Sequence, residues 1–274
     1  MNTKNKRINE IFRSLYAMDV SKYDDSFLNK SIQKRMAETA CGSSEAYYAL
    51  LEQDEEESGR FAESLQISYT EFFRNPLTFA VLETIVLPEL LLKKASDKSR
   101  EIRIWSAACA SGQETYSLAM QLEELINGSS DKNSYRIFAT DVSESEIKQA
   151  RKGEYPESAL NNLNLRRLSH WFDKQGETYA VKRQLMKNID FSVFDLFNEH
   201  LACPPGSIFG DFDLVGCANL LFYYKPQYQE KILDKMQNSM AKGAYLLTGE
   251  AERSILLRND YKEIFPQSAI FQKK

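Results

Sequence analysis

The chain has 274 residues, 43% of them hydrophobic, and can bury the core of one large domain or two smaller ones. Lys and Arg number 35 against 39 Asp and Glu, and this mild acidity argues against a general nucleic-acid-binding protein. The four cysteines and two histidines lie far apart in sequence, which argues against a disulfide framework and against a metal site. No apolar run resembles a signal peptide or a membrane span, so we expect a cytoplasmic protein without membrane insertion.

Charge is distributed unevenly over the N-terminal region. Residues 1–40 carry eight basic and five acidic residues, whereas residues 41–66 carry one basic and seven acidic. Apolar residues recur here at helical spacing, as in the stripe that begins at Leu28, and no alternating strand pattern is present. The sequence predicts an all-helical N-terminal domain and linker over residues 1–93, with Ser26 capping the helix that carries Leu28.

From Glu101 onward, short apolar strands alternate with amphipathic helices. This alternation predicts a parallel sheet with crossover helices. The alternation of strands and helices is interrupted at about 153–189, where the sequence pattern predicts a small antiparallel β insertion. The fold class is therefore α/β, with a Rossmann-like sheet domain over residues 94–274 that follows the helical domain.

Two segments at the ends of the first two predicted strands indicate a ligand site. The turn Ala107–Glu114 is built of small residues, which let a ligand approach the backbone, but it lacks a G-x-G-x-x-G signature and fits a plain tight turn equally well. Asp141 ends the next strand, where a carboxylate can accept hydrogen bonds from ribose hydroxyls, or can cap the following helix. Together the two segments favour a nucleoside-containing ligand.

Two further segments carry candidate polar side chains. Asn219 and Tyr223 follow the strand that ends at Cys217, and Tyr223 fits either a core position or a site that needs a hydroxyl donor. Arg74 lies between the predicted domains, and its planar guanidinium suits a carboxylate. On pattern alone, a surface arginine beside two core phenylalanines is the better interpretation of Arg74.

The order of these motifs resembles one family of enzymes. Thr70–Pro76, Trp105–Ser117, Ala139–Asp141, and Cys217–Asn219 with Tyr223 resemble the CheR family, S-adenosylmethionine-dependent methyltransferases that esterify glutamate side chains of bacterial chemotaxis receptors. The resemblance covers nearly the whole chain. It implies S-adenosyl-L-methionine as cofactor, S-adenosyl-L-homocysteine as product and the acidic helical region of methyl-accepting chemotaxis receptors as partner. We expect a monomer.

The resemblance also implies roles for individual residues. The cofactor would contact ten of them: Ser68, Thr70, Arg74, Ala108, Glu114, Asp141, Asp195, Leu196, Ala218 and Asn219. Glu114 would pair with the ammonium group at the methionine end of the cofactor, and Asp141 would take the ribose hydroxyls. Arg74 and Tyr223 match positions with a direct part in methyl transfer. No histidine dyad is needed, because the accepting glutamate is already ionised near neutral pH.

A basic helix is the implied receptor-binding surface. Lys30, Lys34 and Arg35 lie on or near the face opposite the apolar stripe of residues 26–40. By resemblance, this face would meet the acidic methylation region of the receptor, and complementary charge would speed the encounter. A merely solvated helix face is the alternative interpretation.

Several departures from the family pattern keep two other functions open. Gln113 and Thr115 replace an acid and a proline in the cofactor loop, Ser68 replaces an asparagine, and Ala218 replaces an arginine. Alanine cannot replace the hydrogen-bond donors of arginine. The alternatives are a cofactor-binding regulatory or scaffold protein with weakened catalysis, and a same-fold methyltransferase with another acceptor. The β insertion fits either strand addition of a receptor tether peptide or a structural flap.

Overall fold

The structure, a computed structural model, describes residues 3–16, 18–66, 69–96, 99–128 and 133–273. The chain forms two compact units, Met1–Ile67 with Phe222–Glu230, and Ser68–Leu221 with Lys231–Lys274. The sheet-containing unit begins at Ser68 and not at residue 94 as the sequence predicts. The reason is that the helices between Pro76 and Ala95 pack on the sheet and share its apolar core.

The N-terminal part of the first unit includes the helices α1 (Thr3–Tyr16), α2 (Asp25–Glu38), α3 (Ser44–Gln53) and α4 (Glu55–Ser64). Their apolar stripes meet in one core that includes Phe12, Leu28, Tyr47 and Phe61. The cap of α2 is Asp24, whose carboxylate accepts hydrogen bonds from the backbone N–H groups of Ser26 and Phe27, so the prediction of Ser26 as the cap is wrong.

The segment Phe222–Glu230 completes the first unit. The backbone N–H of Asp24 donates to the carbonyl of Tyr223 over 2.8 Å, and Lys225 pairs with Asp25 at 2.9 Å. The Tyr223 ring packs against Phe27 with centroids 4.9 Å apart. Tyr223 therefore takes part in the packing of this unit.

The second unit opens with one long helical stretch. It consists of α5 (Pro76–Val81), a π-helical turn (Leu82–Val86) and α6 (Leu87–Ala95). Pro88 explains the π turn, because proline has no N–H to donate and its ring would clash with the carbonyl four residues earlier in a regular α-helix. The sequence predicts one helix from Pro76 to about Leu92, and the structure has a helix with a π turn inside it.

A mixed sheet forms the centre of the second unit. The strands are β1 (Glu101–Ala107), β2 (Ser134–Asp141), β3 (Glu154–Pro156), β4 (Phe172–Gln175), β5 (Thr178–Val181), β6 (Ile189–Val193), β7 (Phe212–Cys217), β8 (Met240–Thr248), β9 (Tyr261–Glu263) and β10 (Ile270–Lys273). Seven of them form a sheet of order β6-β2-β1-β7-β8-β10-β9. The first five in this order run parallel, β10 is antiparallel to β8, and β9 is antiparallel to β10. The α/β fold class is confirmed.

Helices connect these strands. They are α7 (Gln113–Asn127), α8 (Glu144–Lys152), α9 (Leu165–Trp171), α10 (Arg183–Met186), α11 (Pro226–Ser239) and α12 (Arg253–Arg258). The strands β3, β5 and β4 form a separate three-stranded antiparallel sheet between α8 and β6. This small sheet occupies the stretch in which the sequence predicts an antiparallel insertion.

Candidate functional site

Four neighbouring parallel strands, β6, β2, β1 and β7, end at one edge of the sheet. Because parallel strands share their carboxyl ends, the residues that follow them lie along the same edge. The predicted site residues placed at this edge are Ala108 after β1, Asp141 at the end of β2, Asp195 and Leu196 after β6, and Ala218 and Asn219 after β7. Chain order reverses between β1 and β7, which is where open α/β sheets bind ligands.

The turn between β1 and α7 has an unusual backbone. Ala108 and Ala110 have φ of 55° and 45°, a left-handed conformation that costs energy for a residue with a side chain, and Gly112 has φ of 92°. A Cβ atom at Gly112 would lie 3.1 Å from the Cβ of Ala150, so the turn packs closely on α8. Strain of this kind is typical of ligand-binding loops and favours that interpretation of the turn over a plain tight turn.

Asp141 fastens this turn to the end of β2. Its Oδ2 accepts a hydrogen bond from the Ala110 N–H and its Oδ1 accepts one from the Ser143 N–H, both over 2.9 Å. Burial raises the pKa of Asp141, while these backbone donors oppose the rise. Ser143, and not Asp141, caps α8. Each carboxylate oxygen keeps a second lone pair, so the group can still accept from a hydroxyl.

Glu114 lies half-buried in the first turn of α7. Its Oε1 lies above β7, 3.3 Å from where a Cβ on Gly216 would stand. The carboxylate makes no hydrogen bond with any residue in the described part of the chain. Burial and the negative charge of Glu252 raise its pKa to about 7, and the positive charge of Arg74 opposes the rise. An unpaired, poorly hydrated carboxylate of this kind favours a cationic ligand.

The segment that carries Arg74 is fixed by its own sequence. Asn75 caps α5 by accepting from the Thr78 N–H over 3.3 Å, and Pro76 begins the helix. Phe73 is buried with φ of 48°, which is strained for an aromatic residue. Arg74 is exposed, donates to the Tyr69 carbonyl over 3.1 Å, and stacks its guanidinium 4.9 Å from the Tyr69 ring.

The small antiparallel sheet supports both the turn and the Arg74 segment. The hydroxyl of Tyr155 on β3 donates to the Ser111 carbonyl over 2.5 Å, and its ring packs edge-on against Phe72 at 5.0 Å. Arg167 on α9 lies 4.5 Å above the ring of Phe73. Sequence reasoning missed Tyr155 and Arg167, because long-range contacts leave no local pattern.

Glu252, which sequence reasoning also missed, lies at the same edge after β8. It is fully buried, and its carboxylate accepts hydrogen bonds from the backbone N–H groups of Asn219, Leu221 and Gly249 and from the Thr248 hydroxyl. Gly249 has no side chain with which to complete a capping box, so the spacing of Gly249 and Glu252 gave no specific signal in the sequence.

The other predicted cofactor residues have varied settings. Thr70, Leu196 and Ala218 are half-buried, and Asp195 is exposed with its carboxylate accepting from the Phe197 N–H over 2.9 Å. Ser68 lies outside the described residues. Tyr223 belongs to the first unit, as described above. Their contacts with a cofactor stay predictions.

The two loop residues that depart from the family pattern are packed into the fold. Gln113 accepts a hydrogen bond from the Ser111 hydroxyl over 3.0 Å, and the Thr115 hydroxyl donates to that of Ser106 over 2.9 Å. Both side chains are buried. These substitutions therefore stabilise the turn from inside and leave Glu114 in place.

The three basic residues of α2 have different settings. Lys30 and Lys34 are exposed and form no ion pair with the residues that the structure describes. Arg35 is held by Glu57, which is buried and also accepts from the Tyr47 hydroxyl over 2.7 Å, and by Glu38. The prediction that Arg35 binds substrate is disfavoured, because its guanidinium is engaged inside this unit.

The donor set at the sheet edge fits S-adenosylmethionine. Glu114 offers an unpaired carboxylate for an ammonium group, Asp141 offers lone pairs for ribose hydroxyls, and the strained turn presents backbone between them. A sheet of this order with these groups at its carboxyl edge defines the class of S-adenosylmethionine-dependent methyltransferases.

Comparisons with known proteins identify the family within that class. The family described as "CheR methyltransferase, SAM binding domain" matches residues 68–270, and "CheR methyltransferase, all-alpha domain" matches residues 6–65. The chain belongs to the CheR methyltransferase family, and its cofactor is S-adenosylmethionine. The match covers both units.

Individual relatives and solved structures resemble the chain to different extents. "Chemotaxis protein methyltransferase 1" of Pseudomonas aeruginosa is 34% identical over 206 residues, 74% of this chain and 72% of that protein. An "Uncharacterized 104.1 kDa protein in hypE 3'region" of Rhodobacter capsulatus is 29% identical over 97% of this chain, which spans only 27% of that protein. The solved structure of "DszA carbon methyltransferase" has a TM-score of 0.43 at 13% identity, covering 89% of this chain and 50% of that chain.

Two kinds of feature are absent from the described residues. None of their helices is long and apolar enough to cross a membrane. Within the same residues, no cluster of His, Cys, Asp and Glu has the arrangement of a metal site.

Proposed function

We propose that this chain transfers a methyl group from S-adenosylmethionine to glutamate side chains of chemotaxis receptors, forming methyl esters. The observation that carries the proposal is the unpaired carboxylate of Glu114, at the sheet edge that also holds Asp141, in a chain of the CheR family. The names of the chemotaxis methyltransferase relatives support a receptor as the acceptor. We place the reaction in the cytoplasm.

The proposed methyl transfer requires the protein mainly to position the two reactants. When bound, the cofactor supplies an electrophilic methyl group on a sulfonium. A receptor glutamate uses an oxygen lone pair to form the new oxygen–carbon bond while the carbon–sulfur bond breaks, and the sulfur keeps that electron pair. No proton moves, because the carboxylate is already ionised at neutral pH. The protein therefore contributes orientation and exclusion of water.

Arg74 is the proposed partner of the incoming carboxylate. Its guanidinium is exposed and stacked on Tyr69, so it is held in one orientation while its remaining N–H groups face outward. Tyr223 is the second proposed catalytic group, with its hydroxyl fixing the reacting geometry. We expect Arg74→Ala to reduce turnover far more than Lys30→Ala, since Lys30 is proposed to act only in the encounter with the receptor.

Lys30 and Lys34 are the proposed receptor contacts. Both are exposed and free of ion pairs among the described residues, so they can meet an acidic helix without first breaking a contact in this chain. Exposed charges of this kind raise association rates more than affinity and are screened by salt. The proposal excludes Arg35, whose charge is used by Glu57.

Ala218 favours one alternative function. Its methyl side chain supplies no donor where the family usually has an arginine, so a cofactor-binding protein with weakened catalysis also fits this position. A methyltransferase with another acceptor is the remaining alternative. Both share the cofactor site and differ from the main proposal in the fate of the methyl group.

A methyl-transfer assay separates the three functions. The purified protein is incubated with tritiated S-adenosylmethionine and membranes that contain a chemotaxis receptor, and the labelled products are treated with base. Label on the receptor that base releases supports the proposal. Base-stable label, or label on a small molecule, supports another acceptor. Cofactor binding without any transfer supports the scaffold function.

A further inference from the structure

Glu252 stands out among the acidic residues of the second unit. Its side chain is 0% exposed, yet its two carboxylate oxygens accept four hydrogen bonds. Oε2 accepts from Asn219 N–H at 2.8 Å, Gly249 N–H at 2.8 Å and the Thr248 hydroxyl at 2.7 Å, and Oε1 accepts from Leu221 N–H at 2.5 Å. A buried carboxylate this well satisfied is a built feature of the fold.

The four donors come from the ends of two neighbouring parallel strands. Asn219 and Leu221 follow β7, whereas Thr248 and Gly249 end and follow β8. Asn219 has φ of 61°, a conformation that the hydrogen bond to Glu252 helps to hold. A Cβ at Gly249 would lie 2.5 Å from the Asn219 Nδ2, so glycine is required for the Asn219 side chain to lie there. Glu252 therefore fixes the loop that carries a predicted cofactor residue.

The hydrogen bonds also bear on the charge state of Glu252. Three of the four groups that face its oxygens are backbone N–H groups, which can only donate and so favour the ionised carboxylate, whereas the Thr248 hydroxyl can donate or accept. Burial raises the pKa of Glu252, but these donors stabilise the ionised form. The negative charge acts on Glu114, whose pKa it helps to raise, while Arg74 acts in the opposite sense. The nearby thiols of Cys109 and Cys217 are buried with raised pKa values and stay neutral.

We propose that Glu252 is a positioning residue for the cofactor site, which anchors the Asn219 loop and places a negative charge at the same sheet edge that disfavours a second ionised carboxylate, that of Glu114, until a cationic ligand binds. This role deepens the proposed function and rests on it where the cofactor is concerned. The two parts of the role are separable. The anchoring part depends on the hydrogen bonds that Glu252 accepts from the Asn219 loop. The charge part depends on how the negative charge of Glu252 changes the protonation of Glu114.

The experiment measures the protonation of Glu114 in the cofactor-free protein. Carboxyl-labelled glutamate is followed by NMR from pH 5 to pH 9, and the Glu114 signal is assigned by its absence in Glu114→Gln. We expect Glu252→Gln to lower the Glu114 midpoint by about one pH unit, because one neighbouring negative charge is removed. Glu250→Gln, an exposed carboxylate two residues away, is the matched control and leaves the midpoint unchanged.

A second measurement tests the anchoring. Calorimetric titration with S-adenosylhomocysteine at pH 7.5 is expected to show about five-fold weaker binding for Thr248→Val, which removes one hydrogen bond to Glu252 and keeps its charge. The Glu114 midpoint of Thr248→Val stays at the wild-type value. This variant also carries the test if Glu252→Gln does not fold.

The proposal is overturned by either of two results. One is a Glu114 midpoint that is the same in wild type, Glu252→Gln and Glu250→Gln. The other is unchanged binding of S-adenosylhomocysteine to Thr248→Val. Neither result depends on methyl transfer, so a failure of the proposed receptor activity and a failure of this inference are distinguishable.

Discussion

Cofactor binding should become weaker as pH falls through neutrality, because only ionised Glu114 can pair with an ammonium group. The pKa of Glu114 is raised to about 7 in the protein without cofactor. Below this pH a growing fraction of the protein carries a neutral carboxyl, and the apparent dissociation constant rises in proportion. Affinity for the cofactor should therefore fall about eight-fold between pH 7.5 and pH 6.0, which is the ratio of the ionised fractions of Glu114 at the two pH values.

The assay is calorimetric titration with S-adenosylhomocysteine at both pH values. Glu114→Gln should lose about 1.5–3 kcal/mol of binding free energy at pH 7.5, the range for a charge-assisted hydrogen bond, and its affinity should change little with pH. Equal affinity of the wild-type protein at the two pH values would refute the reasoning. So would a Glu114→Gln variant that keeps the wild-type pH dependence.

The same carboxylate should destabilise the cofactor-free fold. Its folded-state pKa lies above its unfolded value of 4.5, so the folded protein binds more protons, and stability falls as pH rises from about 4.5 to about 7. Glu114→Gln removes this loss of folding stability, because glutamine does not ionise. We expect the variant to be more stable than wild type by about 2 kcal/mol at pH 8, discounted because Glu114 is partly exposed, and about equal to it at pH 4. Urea unfolding at the two pH values measures the difference.

Three further predictions follow from the contacts of single residues. Arg35→Ala should cost about 3–5 kcal/mol in urea unfolding, because it leaves the buried Glu57 unpaired. Tyr155→Phe should weaken S-adenosylhomocysteine binding about three- to ten-fold, because it removes the hydrogen bond that supports the cofactor turn. Raising the salt concentration should slow receptor methylation through screening of Lys30 and Lys34 while leaving cofactor binding unchanged.

Matched controls make these outcomes specific. Arg60→Ala breaks an exposed pair with Glu56 on α4 and should cost less than about 1 kcal/mol, so a similar loss for Arg35→Ala would contradict the buried-pair argument. Tyr179→Phe on β5 should leave cofactor affinity unchanged. Lys30→Ala with Lys34→Ala should make methylation insensitive to salt, and a salt response identical to wild type would remove these residues from the encounter.

Strand-and-helix alternation made the sheet of the second unit predictable, because hydrophobic periodicity is a local property. It placed Ala108, Asp141 and Asn219 at strand ends, which topology then brings to one edge. The short strand β9 left too little pattern to detect. The unit boundary was placed too late because the polar segment after Ala95 resembles a linker, whereas burial of the preceding helices against the sheet determines the division.

The supporting groups of the site were beyond sequence reasoning. Glu252 and Tyr155 act through partners many residues away, and such contacts depend on the folded chain. The contacts that disfavour Arg35 as a binding residue were hidden for a related reason, because its acidic partner, Glu57, lies on another helix. Residue type and spacing therefore indicated candidate ligand-facing groups at the sheet edge, but they did not indicate the groups that hold this edge in place.

The central claim is that this chain forms methyl esters on receptor glutamates, and mass spectrometry of a purified receptor cytoplasmic fragment tests it most directly. After incubation with the protein and S-adenosylmethionine, we expect methyl groups on glutamates of the acidic helical region, removable by base and strongly reduced with Arg74→Ala. A fragment that stays unmethylated while the protein binds the cofactor normally would contradict the claim.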